Sequence, residues 1–129
     1  MTSPSNYNLC PQAIQTGYLI MESGETLSPV FDCGTLNPVA LIFPTNTDTQ
    51  TFGIFDNTAP FTGYAAEYSA AVADATGTVV AFQAAANRKV SLDTSIALSI
   101  NRFQLYSATP QSQDIQITVV MAPLVQGTF

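Results

Sequence analysis

From Gly17 onwards the chain is a succession of short apolar runs, each closed by turn residues. The runs lie at 18–21, 30–33, 39–43, 51–55, 66–72, 78–83, 89–92, 102–106 and 115–121. Gly34, Asn37-Pro38, Pro44, Asp56-Asn57 and Pro60 punctuate them. The last two runs are the clearest. Phe103 and Leu105 alternate with Gln104 and Tyr106, and Ile115, Ile117, Val119 and Met121 alternate with Gln116, Thr118 and Val120. A period of two puts one side chain into a core and the next toward solvent, the mark of an antiparallel sheet. Residues 74–77 lie between two runs and end in Gly77, which suits a hairpin loop. Such a spacing of eight or nine short strands predicts an all-β antiparallel β-sandwich or jelly roll. Phe43, Phe52, Phe82, Phe103 and Leu105 are the expected core.

Two stretches lean toward helix. Residues 94–100 admit a single turn with Asp93 as its N-cap. The tract Ala84-Ala85-Ala86 favours helix but is too short to nucleate one. Residues 1–16 show neither period, contain Pro4 and Pro11, and read as an extended N-terminal arm. The expected organisation is thus an arm over 1–16 and one sandwich domain over 17–129, a size that carries one core.

Composition narrows the function. Charged residues make up 9% of the chain, against about 25% in an average soluble protein. Polarity comes from Thr, Ser, Asn and Gln, which are buried at lower desolvation cost than charges. That suits a chain packed against neighbours, and it equally suits an ordinary secreted or β-rich protein. The net charge is −6, with Arg88, Lys89 and Arg102 as the only cations. Nucleic-acid backbones and anionic membranes both require basic surfaces, so neither is an expected partner. The N-terminus carries no basic and apolar leader, and the apolar runs fall short of the ~20 residues that cross a bilayer.

Catalytic chemistry finds few candidates. The chain has no histidine, which removes the usual proton shuttle and the nucleophile–histidine arrangements. Its seven glycines stand singly, with no phosphate-binding loop. Cys10 and Cys33 lack neighbours that would lower a thiol pKa, and without histidine or a CxxC pair they do not form a zinc site. Spacing leaves open whether the two are bridged. Asp56, Glu67 and Asp74 are the carboxylates available for glycosidase-type pairing, although acids flanking strands also serve to keep turns and edges soluble. Tyr64, Tyr68 and Tyr106 are the aromatic candidates for a sugar platform, and tyrosines on strands equally form half-buried faces or protein interfaces. Thr45-Asn46-Thr47-Asp48-Thr49 is rich in oxygen but has one carboxylate and reads as an ordinary loop rather than a calcium site. No catalytic residue, metal or cofactor is assigned.

A series of segments recurs in a recognisable order over residues 22–121. Ser23-Gly24-Glu25-Thr26-Leu27-Ser28 precedes a strand ending in Asp32-Cys33-Gly34-Thr35-Leu36. Val39-Ala40-Leu41-Ile42-Phe43-Pro44 follows, then Thr51-Phe52 after a Thr-rich loop, then Ala84-Ala85-Ala86-Asn87-Arg88 before Val90-Ser91-Leu92-Asp93. The end reads Asn101-Arg102-Phe103-Gln104-Leu105-Tyr106-Ser107, a loop Pro110-Gln111-Ser112-Gln113-Asp114, and a final alternating strand from Ile115. This order resembles a widespread group of small tailed-bacteriophage virion proteins. The chain departs from that group in lacking an aromatic after Phe43-Pro44 and in a longer insertion over 56–63. The resemblance implies a β-sandwich with a structural role, such as a capsid cement or decoration protein, and carries no catalytic residues. It implies the major capsid protein and copies of the chain itself, as a homotrimer or dimer, for partners. The location would be the virion, assembled in the host cytoplasm. A tail, baseplate or fibre subunit and a carbohydrate- or receptor-binding module are the alternatives.

Overall fold

The structure, a computed structural model, describes residues 14–58 and 70–123. The expected all-β sandwich is what forms, and each of the nine apolar runs supplies a strand. These are β1 (Gln15–Met21), β2 (Phe31–Asp32), β3 (Asn37–Ile42), β4 (Gln50–Asp56), β5 (Ala70–Ala71), β6 (Ala81–Ala84), β7 (Lys89–Ser91), β8 (Arg102–Ser107) and β9 (Ile115–Ala122). All pairings are antiparallel. One sheet has the order β1-β9-β3-β7. The second has the order β2-β8-β4-β5, with β6 also on β4.

β5 and β6 pair with successive parts of β4, at Phe55–Asp56 and at 50–53. They act as one interrupted strand along one side of β4, while β8 takes the other. Counted so, the first strand pairs with the last, the second with the next to last, and so on inward to the fourth. A long hairpin ribbon wrapped into two sheets gives this nesting, and it is the jelly-roll topology.

The core fills the space between the sheets. Leu19, Met21, Leu41, Ile117 and Val119 from the first sheet meet Phe52, Ile54, Phe103 and Leu105 from the second. Phe43, Phe52, Phe103 and Leu105 are buried as expected. Phe82 is half-buried: it packs beside Phe43 and Phe52 at the border of the core.

Other details depart from the sequence reading. β1 begins at Gln15, so the last two residues assigned to the arm belong to a strand. Residues 1–13 lie outside the described part. β6 begins at Ala81 rather than 78, because Thr78 is used by the preceding turn. Ala84 ends β6, and Asn87 enters the left-handed region at φ 59° in the turn to β7. The alanine tract therefore makes a crossing between sheets and no helix. A helical turn does form at Thr94–Ala97, with Asp93 at the N-cap position, but the Asp93 side chain makes no capping hydrogen bond.

Candidate interface on the outer sheet face

Two of the three carboxylates considered for catalysis, Asp56 and Asp74, are held by nearby backbone amides. In the hairpin between Ala73 and Val79, Asp74 Oδ1 accepts from the Thr76 hydroxyl at 2.7 Å and from the N–H groups of Thr76 and Thr78. The Thr76 hydroxyl, then the Thr78 and Thr76 amides, hold this carboxyl below its ordinary 3.8. Asp56 Oδ1 accepts from Thr58 N–H in the same manner. Asp32 binds Gly34 N–H, Asp48 binds Ser112 N–H and Asp114 binds Ser23 N–H. Asp32, Asp56 and Asp74 fold back onto nearby amides and substitute for backbone pairing there, whereas Asp48 and Asp114 tie together loops distant in sequence. Glu67, the third candidate, lies outside the described residues.

A pH dependence follows for Asp74. A depressed folded-state pKa contributes stability above the unfolded value, and that contribution is lost as pH falls through the folded value. Thermal unfolding followed by circular dichroism should therefore show a falling midpoint below about pH 4. Asp74→Asn keeps an acceptor oxygen for the turn and should flatten this acid limb.

Tyr106 is also committed. It lies opposite Gly53 across the β8–β4 ladder and stacks on Phe55 at 4.3 Å between centroids. A Cβ on Gly53 would overlap Cζ, Oη and Cε1 of the tyrosine ring. The ring thus covers bare backbone on one strand and a neighbouring aromatic, and serves the packing of the second sheet. Gly53→Ala should force the ring off its seat at a cost of about 1–3 kcal/mol. Urea unfolding measures it, and Tyr106→Ala in the same chain should recover part of the loss, because the two changes share one contact. Tyr64 and Tyr68 lie outside the described residues.

The Thr-rich loop is laced to the loop before β9. Asn46 Nδ2 donates to Gln113 Oε1 and to the Asp114 carbonyl, and Thr47 Oγ1 donates to the Pro44 carbonyl. The side chains of Asn46 and Thr47 are thus engaged in the fold. Cys33 is a free thiol with 6% exposure. Burial, and secondarily Asp32, pushes its pKa up to about 12, the opposite of what a nucleophile needs. Cys10 lies outside the described residues.

What the fold assembles instead is a surface. Across β1, β9, β3 and β7 the single charged residue is Lys89, on the outermost strand. The register sets Tyr18 beside Thr118 and Thr118 beside Ile42, so these three form a row across the outer face. Ile20 beside Gln116 forms the next row, and Thr16 and Val120 the row on the other side, which ends at the buried Ala40. Tyr18 is 62% exposed, Ile20 49% and Ile42 36%. These side chains oppose the buried Leu19, Met21 and Leu41 on the same strands. At the end of β1 the face leads into a groove lined by Ile20, Leu27, Ser28 and Pro29, together with Glu22 and Glu25.

A signal for this face was present in the sequence. The run Tyr18-Leu19-Ile20-Met21 is apolar at every position, so both of its sides present apolar groups, one inward and one outward. Apolar side chains exposed together, rather than singly, mark interaction sites. No family model, no curated protein and no solved structure matches this chain.

Proposed function

We propose that this chain is a structural protein of a tailed-bacteriophage virion, a decoration protein that binds the outer capsid surface and stabilises the shell. The observation that carries the reading is the first sheet: four strands with one charge among them and an outer row of exposed Tyr18 and Ile42 with half-buried Thr118 between them. A face of hydroxyls, amides and apolar groups is desolvated cheaply against another protein. Three further points support it. The order of segments resembles small phage virion proteins. The jelly-roll topology is common in viral capsid proteins, although it also serves lectins and so does not decide function by itself. Five of the described aspartates bind backbone amides, as befits a scaffold built to hold its shape.

The mechanism is mass action. A protein that binds assembled shell and not free subunits lowers the free energy of the shell, by about 2.7 kcal/mol per site at a hundredfold excess over Kd. Quantitative mass spectrometry of purified particles tests the placement. The expected copy number is comparable to that of the capsid subunits, and shells lacking the protein should break at lower temperature. A copy number set by tail symmetry would move the protein to the tail, and its absence from particles would end the reading. Glycan-array binding would favour the carbohydrate alternative. A truncation that probes the N-terminal extension should stop at residue 13, since removal through 16 would cut into β1.

A further inference from the structure

Edges of sheets invite other strands, and folded proteins blunt them with short strands, charge, proline or bulges. Three of the edges described here are blunted. β7 has three residues and carries Lys89. β2 has two residues, one of them Asp32. The edge along β4 is divided between β5, of two residues, and β6, of four. β1 is different. It runs for seven residues, Gln-Thr-Gly-Tyr-Leu-Ile-Met, with no charge and no proline. Its ladder to β9 is continuous from Gln15 to Met21, with no bulge. Among the described residues its opposite side pairs with nothing.

We propose that a second copy of this chain occupies the free edge of β1, the two strands pairing antiparallel about a two-fold axis at Tyr18. The two four-stranded sheets then become one sheet of eight strands, β7-β3-β9-β1 continued into its symmetry mate. Charge selects this occupant. Each copy carries a net charge of −6, so two copies repel wherever carboxylates face each other, and β1 with its neighbour β9 contains none. Symmetry selects the register. Tyr18 is the middle residue of β1, and pairing over the whole strand sets Tyr18 against its own copy and Thr16 against Ile20 of the partner strand. The contact is isologous and closed, so it ends at two chains rather than growing into a fibre. The same pairing joins the outer faces of the two first sheets into one continuous surface, 62% exposed at Tyr18 before association. This inference stands on the edge and not on the virion reading, so either can fail alone.

The test is the mass of the full-length protein in solution, by sedimentation and light scattering over a concentration series. The expected mass is twice 13.7 kDa. Tyr18→Glu and Tyr18→Lys each place like charges across the axis, and each alone should weaken the dimer at least tenfold. Mixing the two variants should restore it, because opposite charges then face each other only if Tyr18 meets Tyr18. Lys89→Glu, on the far edge, should leave the mass unchanged. Hydrogen exchange on the unaltered protein gives a second measurement that needs no variant: amides of β1 should exchange more slowly as concentration rises. A monomer at every concentration would overturn the proposal. So would a trimer, a dimer indifferent to both Tyr18 variants, or a mixture that fails to reassociate.

Discussion

Phe52→Ala should lower stability by about 3–5 kcal/mol, the range for emptying a buried aromatic site. Phe52 is fully buried at the centre of β4, the strand that β8 flanks on one side and β5 and β6 on the other. Its ring meets Phe43 edge-on at 5.6 Å and stacks on Phe82 at 6.0 Å. Truncation removes one ring of a mutually packed trio, since Phe43 and Phe82 also meet at 6.1 Å, and neither neighbour can collapse into the space without leaving its own contacts. A domain of this size has about 5–15 kcal/mol of stability in all, so the loss is a large share. Equilibrium urea unfolding should show the midpoint falling with little change in slope. Phe82→Ala should cost less, because Phe82 is already half in water. An equal cost at the two positions would mean that the core is centred elsewhere.

Gln111→Ala should be the largest polar effect, at about 2–4 kcal/mol for two hydrogen-bonding groups left unpaired. Gln111 is 2% exposed. Its Oε1 accepts from Asp48 N–H at 2.6 Å, and its Nε2 donates to the Asp48 carbonyl at 3.1 Å. The side-chain amide thus behaves as one peptide unit of a missing strand, while its own carbonyl accepts from Gly24 N–H. Asp48 also binds the loop through Ser112, whose hydroxyl and then backbone N–H hold the Asp48 carboxyl below its ordinary value. Alanine would free the 45–49 loop from the 111–114 loop, and exchange of the Asp48 amide should rise more than that of the core strands. Gln111→Glu keeps the acceptor and loses the donor, setting a carboxylate against the Asp48 carbonyl. Its penalty should shrink in acid, where a protonated carboxyl can donate again.

The two residues were not equally legible. Phe52 stood in an apolar run between turn signals, and its burial followed from that pattern. Gln111 stood in a polar loop, where nothing in its surroundings along the chain distinguishes it from Gln113. Only the approach of the 45–49 loop, with Asp48 63 residues away in sequence, made one of them a buried structural part. Tyr106 shows the same limit: alternation placed it on the outer side of β8, but its partner Gly53 is set by the β8–β4 register. The candidate interface was half visible. The run 18–21 announced a strand with two apolar sides, yet the row of Tyr18, Thr118 and Ile42 exists only because β9 lies between β1 and β3.

The sequence by itself determined that the chain is all-β, the order and approximate position of its strands, and the core aromatics Phe43, Phe52 and Phe103. Those properties depend on period and burial, which are local: a side chain two positions along a strand returns to the same face whatever the partner. The three-dimensional structure alone decided the nested jelly-roll pairing, the tying of five aspartates to backbone amides, and the gathering of four strands with a single charge, Lys89, into one sheet whose β1 edge is unpaired among the described residues. Those depend on which strands become neighbours. Strand pairing is chosen by contacts distant along the chain, whose combined packing outweighs any local preference, and so it is written in no single segment.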